Sequence, residues 1–228
     1  ELGRVLVVQS LNMEDFYDEY AAALEGALHS DVVSDSIFYD FTKRLVDIIL
    51  SIIGIVFGLP IMAVFCILIV LESKGCPIYK QDRLGKNGKI FTLYKLRSMY
   101  NDAEKDGAQW AQADDPRVTK VGAFIRKTRI DEIPQFFNVL MGDMSIVGPR
   151  PERLYFTIEF NKDIPGFVNR LLVKPGLTGW AQVNGGYEMT PKEKWEADMY
   201  YIKNRNLYMD FVVILKTVKV VFTGDGAR

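Results

Sequence analysis

The sequence contains one long apolar segment, IILSIIGIVFGLPIMAVFCILIVL, which runs from Ile48 to Leu71 and holds 24 residues without a charged side chain. As a helix rising 1.5 Å per residue, it reaches about 36 Å, enough to cross the hydrocarbon core of a bilayer. It exceeds the apolar length of a signal peptide, and no small-residue cleavage pattern follows it. We therefore expect the protein to insert into a membrane through this segment.

Pro60 lies near the midpoint of this apolar run. A proline removes one helical hydrogen bond and favours a kink, so two half-helices, 48–59 and 61–71, could enter and leave the bilayer on the same face. Basic residues stand on both sides of the run, including Lys43 before it and Lys74 after it, so the positive-inside signal selects no orientation. A re-entrant hairpin and a kinked transmembrane helix both remain open at this point.

The composition indicates one globular domain with an added membrane element, because 228 residues at 49% hydrophobic are too few for a many-span transporter. Residues 1–40 hold nine acids and a single base, Arg4, which leaves 27 bases against 20 acids in the rest. This positive remainder suits anionic lipid headgroups and phosphate-bearing substrates, and no nucleic-acid motif accompanies it. Two cysteines, Cys66 and Cys76, and one histidine, His29, argue against a zinc site or a disulfide framework.

The body after the apolar run reads as mainly helical with one small β-hairpin. Strand patterns at 78–81 and 89–94 flank a Gly-Lys-Asn-Gly turn at 85–88, and Asn-Gly is a strong hairpin signal. The final stretch, 207–222, predicts either a helix lying along the bilayer or a buried core helix. Three further helical patterns lie at 131–141, 154–161 and 191–204.

Two adjacent carboxylates, Asp131 and Glu132, follow three bases in the segment 126–134. Pro134 is tolerated only near the start of a helix, so the pair is predicted at a helix N-terminus. The helix dipole and free N–H groups there favour anions, and adjacent carboxylates can share Mg²⁺ with a diphosphate. A plain helix cap with a neighbouring surface acid explains the same residues equally simply.

Further bases stand where they could clamp a pyrophosphate. Arg150 is held on the stiff loop Gly148-Pro149-Arg150-Pro151, and Lys95 and Arg97 follow a strand pattern. Arginine offers a planar donor fork to phosphate oxygens, whereas lysine acts as a point charge. The chain has neither a Walker loop nor a Gly-x-Gly-x-x-Gly turn, so a metal-and-arginine site is the remaining way to bind a nucleotide.

Four motifs, read in order, resemble the bacterial sugar transferases known as monotopic phosphoglycosyl transferases, and the similarity runs from about Phe41 to Arg228. The motifs are KLRSM at 95–99, RKTRIDEIPQ at 126–135, GDMSIVGPRP at 142–151 and KPGLTGWAQVNG at 174–185. The resemblance implies a mainly α fold with a small β-hairpin, in which a re-entrant membrane helix broken at Pro60 occupies 41–74. A compact cytosolic catalytic domain with interfacial helices would occupy 75–228. The acidic residues 1–40 lie outside the resemblance, and whether they form a separate segment, a linker or the tail of a longer protein stays open.

The same resemblance implies the transfer of a sugar 1-phosphate from a nucleotide sugar, a UDP-sugar, to polyprenyl (undecaprenyl) phosphate. Asp131 would be the nucleophile that carries a covalent phosphosugar, with Glu132 as its partner, and both would bind Mg²⁺. Whether Glu132 is a metal ligand or a base stays open. Phosphate and substrate contacts would come from Lys95, Arg97, Arg126, Arg150 and Asp198.

The implied setting is the cytoplasmic face of the bacterial plasma membrane, at the first membrane step of exopolysaccharide or glycoconjugate assembly. The lipid bilayer is a partner, nucleic acid is not, and downstream glycosyltransferases or further copies of the chain stay open as partners. The chain departs from some members in having Gly186 where they carry arginine, so the sugar is not specified. A non-catalytic membrane-surface module that binds nucleotide sugar or lipid, and a Mg²⁺-dependent nucleotide-sugar hydrolase, are the competing interpretations.

Overall fold

The computed structural model describes residues 24–26, 36–103, 105, 115–185 and 189–223. Most of the acidic N-terminal segment and the departure at Gly186 therefore lie outside the described residues. The predicted mainly helical architecture is confirmed. The helices are α1 (Ile37–Glu72), α2 (Lys120–Lys127), α3 (Gln135–Met141), α4 (Leu154–Asp163), α5 (Trp180–Asn184), α6 (Pro191–Asn204) and α7 (Leu207–Thr223), and the strands are β1 (Ile78–Leu84), β2 (Ile90–Leu96), β3 (Ser145–Val147) and β4 (Gly176–Thr178).

Helix α1 is 36 residues long and remains helical through Pro60. It is long and apolar enough to cross a membrane, with a mean hydropathy of 2.9 over its most apolar window, and only 17% of that window is buried in the protein. The exposed side chains include Phe38, Phe57 and Leu71. The helix begins at Ile37, four residues before the predicted boundary at Phe41, because Ser36 caps it by accepting a hydrogen bond from the Tyr39 amide.

The N-terminal part of α1 is tied to the body by polar contacts. The Arg44 guanidinium donates to the carbonyls of Val139 and Leu140 at 2.7 and 2.8 Å, at the end of α3. The last four carbonyls of a helix lack the usual partner four residues ahead within the helix, and the Arg44 guanidinium donates to two such carbonyls of α3. The start of the apolar helix is thereby fixed to the element that follows the Asp-Glu pair.

The middle and the end of α1 also lie against the body. A Cβ placed on Gly54 would lie 2.7 Å from the Phe136 ring, and one on Gly58 would lie 2.4 Å from Ile133. These glycines allow α3 and the turn before it to approach the helix backbone closely. At the far end, the Glu72 carboxylate accepts the amide hydrogens of α2 at 2.8 Å. One face of α1 therefore contacts protein along most of its length.

Strands β1 and β2 form the predicted antiparallel hairpin, with Ile78 opposite Leu96 and Leu84 opposite Ile90. The turn contains Asn87 at a φ of 55°, a left-handed conformation that asparagine tolerates better than most residues. Both strands are longer than predicted, because cross-strand pairing continues through polar residues. The alternation of apolar and polar residues in the sequence does not identify these positions as strand. The hairpin prediction is confirmed, but β1 ends three residues later than predicted, and β2 begins one residue later and ends two residues later.

Strands β3 and β4 form a short parallel pair that joins two of the sequence motifs. Gly148 donates its amide hydrogen to the Thr178 carbonyl and Gly176 donates to the Pro149 carbonyl, both at 2.9 Å. A Cβ on Gly176 would lie 2.1 Å from the Gly148 nitrogen, so a side chain cannot be accommodated there. The Gly-Pro-Arg-Pro loop is therefore held in place by the Lys-Pro-Gly segment through backbone contacts.

Helix α7 packs in the core, as one of the two interpretations of its sequence predicted, and its position at a bilayer stays a prediction. Val213 and Met209 are buried in the main hydrophobic core, where Val213 is fully inaccessible to solvent. Tyr208, Phe211 and Leu215, on the same helix, are exposed by more than half. One face of α7 packs in the core and another presents apolar side chains outward, as an interfacial helix does.

Candidate active site

Asp131 and Glu132 lie in a short 3₁₀ turn, Ile130–Glu132, one turn before α3 begins at Gln135. The turn starts from Arg129, which adopts a left-handed φ of 56°, and Pro134 forms the N-cap of α3. The predicted helix start at Asp131 is therefore wrong by about one turn, since Pro134 lacks an N–H and itself fits the first helical position. Both carboxylates are buried, with 7% and 8% of their surface exposed.

Three cations surround the Glu132 carboxylate. Its Oε1 atom accepts hydrogen bonds from Arg150 Nη2 at 2.8 Å and from Lys95 Nζ at 3.2 Å. Arg129 Nη1 lies 3.8 Å from Oε2. Burial opposes ionisation of Glu132, but the charges of Arg150, Lys95 and Arg129 outweigh it and hold the pKa of this carboxyl well below its usual range. Glu132 is therefore ionised and organises the cations around it.

Asp131 has a different environment. Its Oδ2 atom lies 3.7 Å from Lys95 Nζ, and its carboxylate accepts no hydrogen bond from the residues that the structure describes. Burial raises the pKa of Asp131 and the neighbouring Glu132 charge raises it further, while Lys95, Arg150 and Arg126 oppose the rise. The oxygens of Asp131 stay available for bonding to an incoming atom, which is what a nucleophile requires.

The structure brings Lys95 and Arg150 to the pair, as predicted, and places Arg126 near enough to influence the charge of Asp131. Arg97 is not part of this group. Its buried guanidinium donates to the carbonyls of Ser73 and Lys74, just beyond the end of α1. Arg97 therefore fastens the end of the apolar helix, and its contact with phosphate stays a prediction.

Asp198 also lies away from the open side of the pair. It is 2% exposed, and its Oδ2 atom accepts a hydrogen bond from Arg170 Nε at 2.8 Å. Burial raises the pKa of Asp198, and the Arg170 charge opposes that rise. Arg170 in turn donates from Nη2 to the Arg150 carbonyl at 2.8 Å. Asp198 thus supports, through Arg170, the backbone of the loop that carries Arg150, and its contact with substrate stays a prediction.

Comparison with known proteins supports the motif-based expectation. A model of the family described as "Bacterial sugar transferase" matches residues 38–224. The chain belongs to this family.

Several curated bacterial sugar transferases are similar to it. The UDP-N-acetylgalactosamine-undecaprenyl-phosphate N-acetylgalactosaminephosphotransferase of Aeromonas hydrophila is 48% identical, over 83% of this chain and 46% of its own length. A putative undecaprenyl-phosphate N-acetylgalactosaminyl 1-phosphate transferase of Bacillus subtilis is 59% identical, over 63% of this chain and 81% of its own. The UDP-glucose:undecaprenyl-phosphate glucose-1-phosphate transferase of Escherichia coli is 38% identical, over 81% and 41% respectively. The chain thus spans about half the length of most of these relatives.

Three residues of this bacterial sugar transferase site were missed in the sequence. Arg129 stood in the quoted basic segment, but its contact with Glu132 depends on the left-handed backbone that precedes the turn. Arg170 had no signal, because nothing in the sequence links it to Asp198. Asn138 is fully buried, where its side chain accepts from the Tyr94 amide at 3.1 Å and donates to the Thr92 carbonyl at 2.8 Å, both on one edge of β2. It fixes the strand that carries Lys95.

The carboxylate pair fits a magnesium ion whose coordination the substrate phosphates would complete. Among the described residues, no group of three or more His, Cys, Asp or Glu side chains could hold a metal ion alone. Mg²⁺ is commonly bound by one or two carboxylates together with substrate phosphates and waters. Asp131 and Glu132 provide that number of carboxylates, and the oxygens of Asp131 are not taken by hydrogen bonds from described residues. The two carboxylates therefore suit a Mg²⁺ ion that would bind the protein and the diphosphate of the substrate together.

The site lies against the apolar helix. Ile133, the next residue after Glu132, fits against Gly58 near the midpoint of the uncharged run. Phe136, on the first turn of α3, covers Gly54 one turn earlier. A charged group bound at the pair would therefore lie beside the apolar helix α1.

Proposed function

We propose that this chain transfers a sugar 1-phosphate from a UDP-sugar to undecaprenyl phosphate, forming an undecaprenyl-diphosphate sugar and UMP. The observation that carries the proposal is the buried Asp131-Glu132 pair, which shares Lys95 and is packed against an apolar helix. The names of the similar proteins from Aeromonas hydrophila and Escherichia coli give undecaprenyl phosphate and UDP-sugars as substrates, which supports the same chemistry. This would be a first membrane step of exopolysaccharide or glycoconjugate assembly.

The reaction proceeds in two displacements at one phosphorus. A carboxylate oxygen of Asp131 attacks the phosphorus that carries the sugar, and the bond from that phosphorus to the bridging oxygen breaks, so UMP leaves. The phosphate oxygen of undecaprenyl phosphate then attacks the phosphosugar on Asp131. The bond between phosphorus and the Asp131 oxygen breaks, the carboxylate is restored, and the product carries the diphosphate.

The surrounding cations reduce the electrostatic repulsion between the anionic substrates and the carboxylates in these steps. The substrates bring two phosphate-bearing anions to an anionic nucleophile, and preorganised cations offset this repulsion. Glu132 holds Lys95 and Arg150 in place, so both are already oriented when substrate arrives. Arg126 makes no hydrogen bond or ion pair within the described part of the chain and can bind phosphate oxygens. Mg²⁺, bound by Asp131 and Glu132, would supply further neutralisation of the diphosphate.

The contacts of α1 support an insertion in which both of its ends stay on one face of the membrane. At 36 residues the helix is about 54 Å long, against roughly 30 Å for the hydrocarbon core. Arg44 near its start and Glu72 at its end both bind the same body. Two ends attached to one water-facing body fit re-entry better than a span. We place that body on the cytoplasmic face of the bacterial plasma membrane.

Cysteine labelling with a membrane-impermeant maleimide tests this topology. Cys76 is exposed just beyond α1, and an Ile37→Cys variant places a second site at its start. In single-cysteine proteins that lack Cys66, both positions should react from the cytoplasmic side of inverted vesicles. Reaction of the two positions from opposite sides would show a spanning helix instead.

The reaction is tested by trapping its intermediate. Wild-type protein incubated with a UDP-sugar labelled in the sugar should retain label, and UMP should appear in equal amount before any acceptor is added. A set of UDP-sugars that includes N-acetylgalactosamine, glucose and galactose identifies the donor. Asp131→Asn should retain no label, while Asp163→Asn, which makes the same change on the exposed end of α4, should label as wild type. Labelling of Asp131→Asn at the wild-type level would refute the assignment.

A further inference from the structure

A second charged cavity lies at the start of α1, away from the carboxylate pair. Its volume is about 200 Å³, and its lining includes five basic side chains and two acidic ones, Asp40 and Asp47. The basic residues are Lys43, Arg44, Lys86, Lys174 and Arg205. Fourteen residues of helix separate Arg44 from Gly58, which packs beside the pair, so the two sites are about 21 Å apart along α1.

Part of this charge is already compensated. Lys43 Nζ lies 2.8 Å from Asp210 Oδ2, and Arg205 lies 3.6 Å from Asp40. Asp47 Oδ1 accepts from the Ser145 hydroxyl at 3.0 Å and from the following amide hydrogen at 2.8 Å. After these pairings, the cavity keeps the positive charges of three other bases against the single negative charge of Asp47.

Those three bases are Arg44, Lys86 and Lys174. Arg44 donates its hydrogen bonds to backbone carbonyls, which are uncharged and therefore leave its positive charge without a counter-ion. Its Nη2 atom and Lys174 Nζ would each lie 3.6 Å from a Cβ on Gly142, so the two cations are within about 7 Å of one another. Lys174 makes no hydrogen bond or ion pair with any residue that the structure describes. Burial lowers the pKa of Lys174, and the nearby charges of Arg44 and Lys86 lower it further, while the carboxylates of Asp47 and Asp143 oppose this shift.

We propose that this cavity binds the phosphate group of an anionic lipid headgroup. The volume is below the usual range for pockets that hold drug-sized ligands, so it suits a headgroup and is too small for a nucleotide sugar. Phe38, Phe41 and Leu45, on the same turns of α1, are exposed to where acyl chains would lie. A phosphate held by Arg44 and Lys174 would therefore have apolar protein surface beside its acyl chains.

The site accounts for a lysine that the proposed reaction leaves unused. Lys174 begins the Lys-Pro-Gly motif, whose glycines hold the Arg150 loop through β3 and β4. A bound headgroup would tie this motif to the start of α1. The proposal does not depend on the transferase reaction, because it is tested by lipid binding without turnover.

Binding is measured on the whole purified chain in detergent, by native mass spectrometry and by titration calorimetry with dihexanoyl phosphatidylglycerol. The test variant is Lys86→Gln/Lys174→Gln, whose side chains make no hydrogen bonds with described residues, so its thermal unfolding should match wild type. The control is Lys192→Gln/Lys203→Gln, which removes the same charge from exposed positions on α6. Each lost cation near a lipid phosphate weakens binding about fivefold, so we expect roughly 25-fold weaker binding for the test variant.

The outcomes separate the sources of the phosphate. Saturable binding of phosphatidylglycerol, lost in the test variant and kept in the control, supports the lipid site. Dihexanoyl phosphatidylcholine, which is not anionic overall, should bind more weakly. Inorganic phosphate that binds as tightly as phosphatidylglycerol, through the same lysines, would overturn the lipid assignment in favour of a soluble anion. Absence of saturable binding, or equal loss in both double variants, would overturn the site itself.

Discussion

Replacement of Asp198 by Asn distinguishes a supporting residue from a substrate-binding one. The side chains of Asp198 and Arg170 are 3% and 7% exposed, and their hydrogen bond is 2.8 Å long. Breaking a buried ion pair by removing one partner costs about 3–5 kcal/mol, but Asn keeps the shape and one neutral hydrogen bond worth about 1 kcal/mol. We therefore expect a loss of about 2–4 kcal/mol in unfolding free energy. At about 2–4 °C per kcal/mol for a chain of this size, the Tm should fall by about 4–16 °C.

The catalytic effect of Asp198→Asn should follow from the next contact. Arg170 also binds the Arg150 carbonyl, and a loosened Arg170 lets the loop shift Arg150 away from Glu132. We expect kcat for UMP release to fall about 10- to 100-fold at saturating donor, with a smaller change in KM, because small displacements of a positioned charge weaken transition-state stabilisation. Thermal unfolding in detergent and steady-state UMP release measure the two effects. Asp163→Asn serves as the matched control.

A double variant separates stability from positioning. Asp198→Leu with Arg170→Met replaces the buried pair by apolar side chains, a change that is often neutral or stabilising. It should recover most of the lost Tm and leave kcat low, since the hydrogen bond to the Arg150 carbonyl is absent. An unchanged Tm for Asp198→Asn with a raised KM for the UDP-sugar would refute the reasoning, because it would mean that Asp198 contacts substrate.

Three further predictions follow from the site. Formation of the phosphosugar, measured by rapid quench, should slow as the pH falls, because protonation removes the carboxylate form of Asp131. Since the pKa of Asp131 is raised, this loss of rate should begin at a higher pH than it would for an ordinary aspartate. Lys95→Met should lower the same rate about 100-fold or more, since one cation serves both carboxylates, whereas Lys89→Met should not. Gly176→Ala should yield little folded protein by size exclusion, because its Cβ would lie 2.1 Å from the Gly148 nitrogen.

The parts of the fold that could be predicted are those with a local signal. The uncharged run predicted α1, and the Asn87-Gly88 turn predicted the hairpin, because in both cases adjacent residues carry the information. The parallel pair of β3 and β4 could not be predicted. Each strand has three residues, too few for a periodic pattern, and the pairing depends on segments about 30 residues apart.

For the site, residue types were easier to predict than side-chain directions. Lys95 and Arg97 are both bases in one motif, and strand alternation would place them on one face. β2 ends at Leu96, however, so Arg97 leaves that alternation and turns towards the end of α1. Asp198 was grouped with the substrate contacts from the family resemblance alone, and its partner Arg170, which lies 28 residues away, gives no local signal.

The geometry also bears on whether Glu132 acts as a base or as an organiser of charge. A general base must take up a proton near the operating pH, and three neighbouring cations hold the pKa of Glu132 far below that range. In the proposed reaction Asp131 needs no base, because an ionised carboxylate has no proton to lose before it attacks phosphorus, and the proposed acceptor, undecaprenyl phosphate, is likewise an anion. We infer that Glu132 contributes by fixing Lys95 and Arg150 and by offering its remaining oxygen to Mg²⁺. The low pKa is then an advantage, since the carboxylate keeps its charge while substrate anions bind beside it.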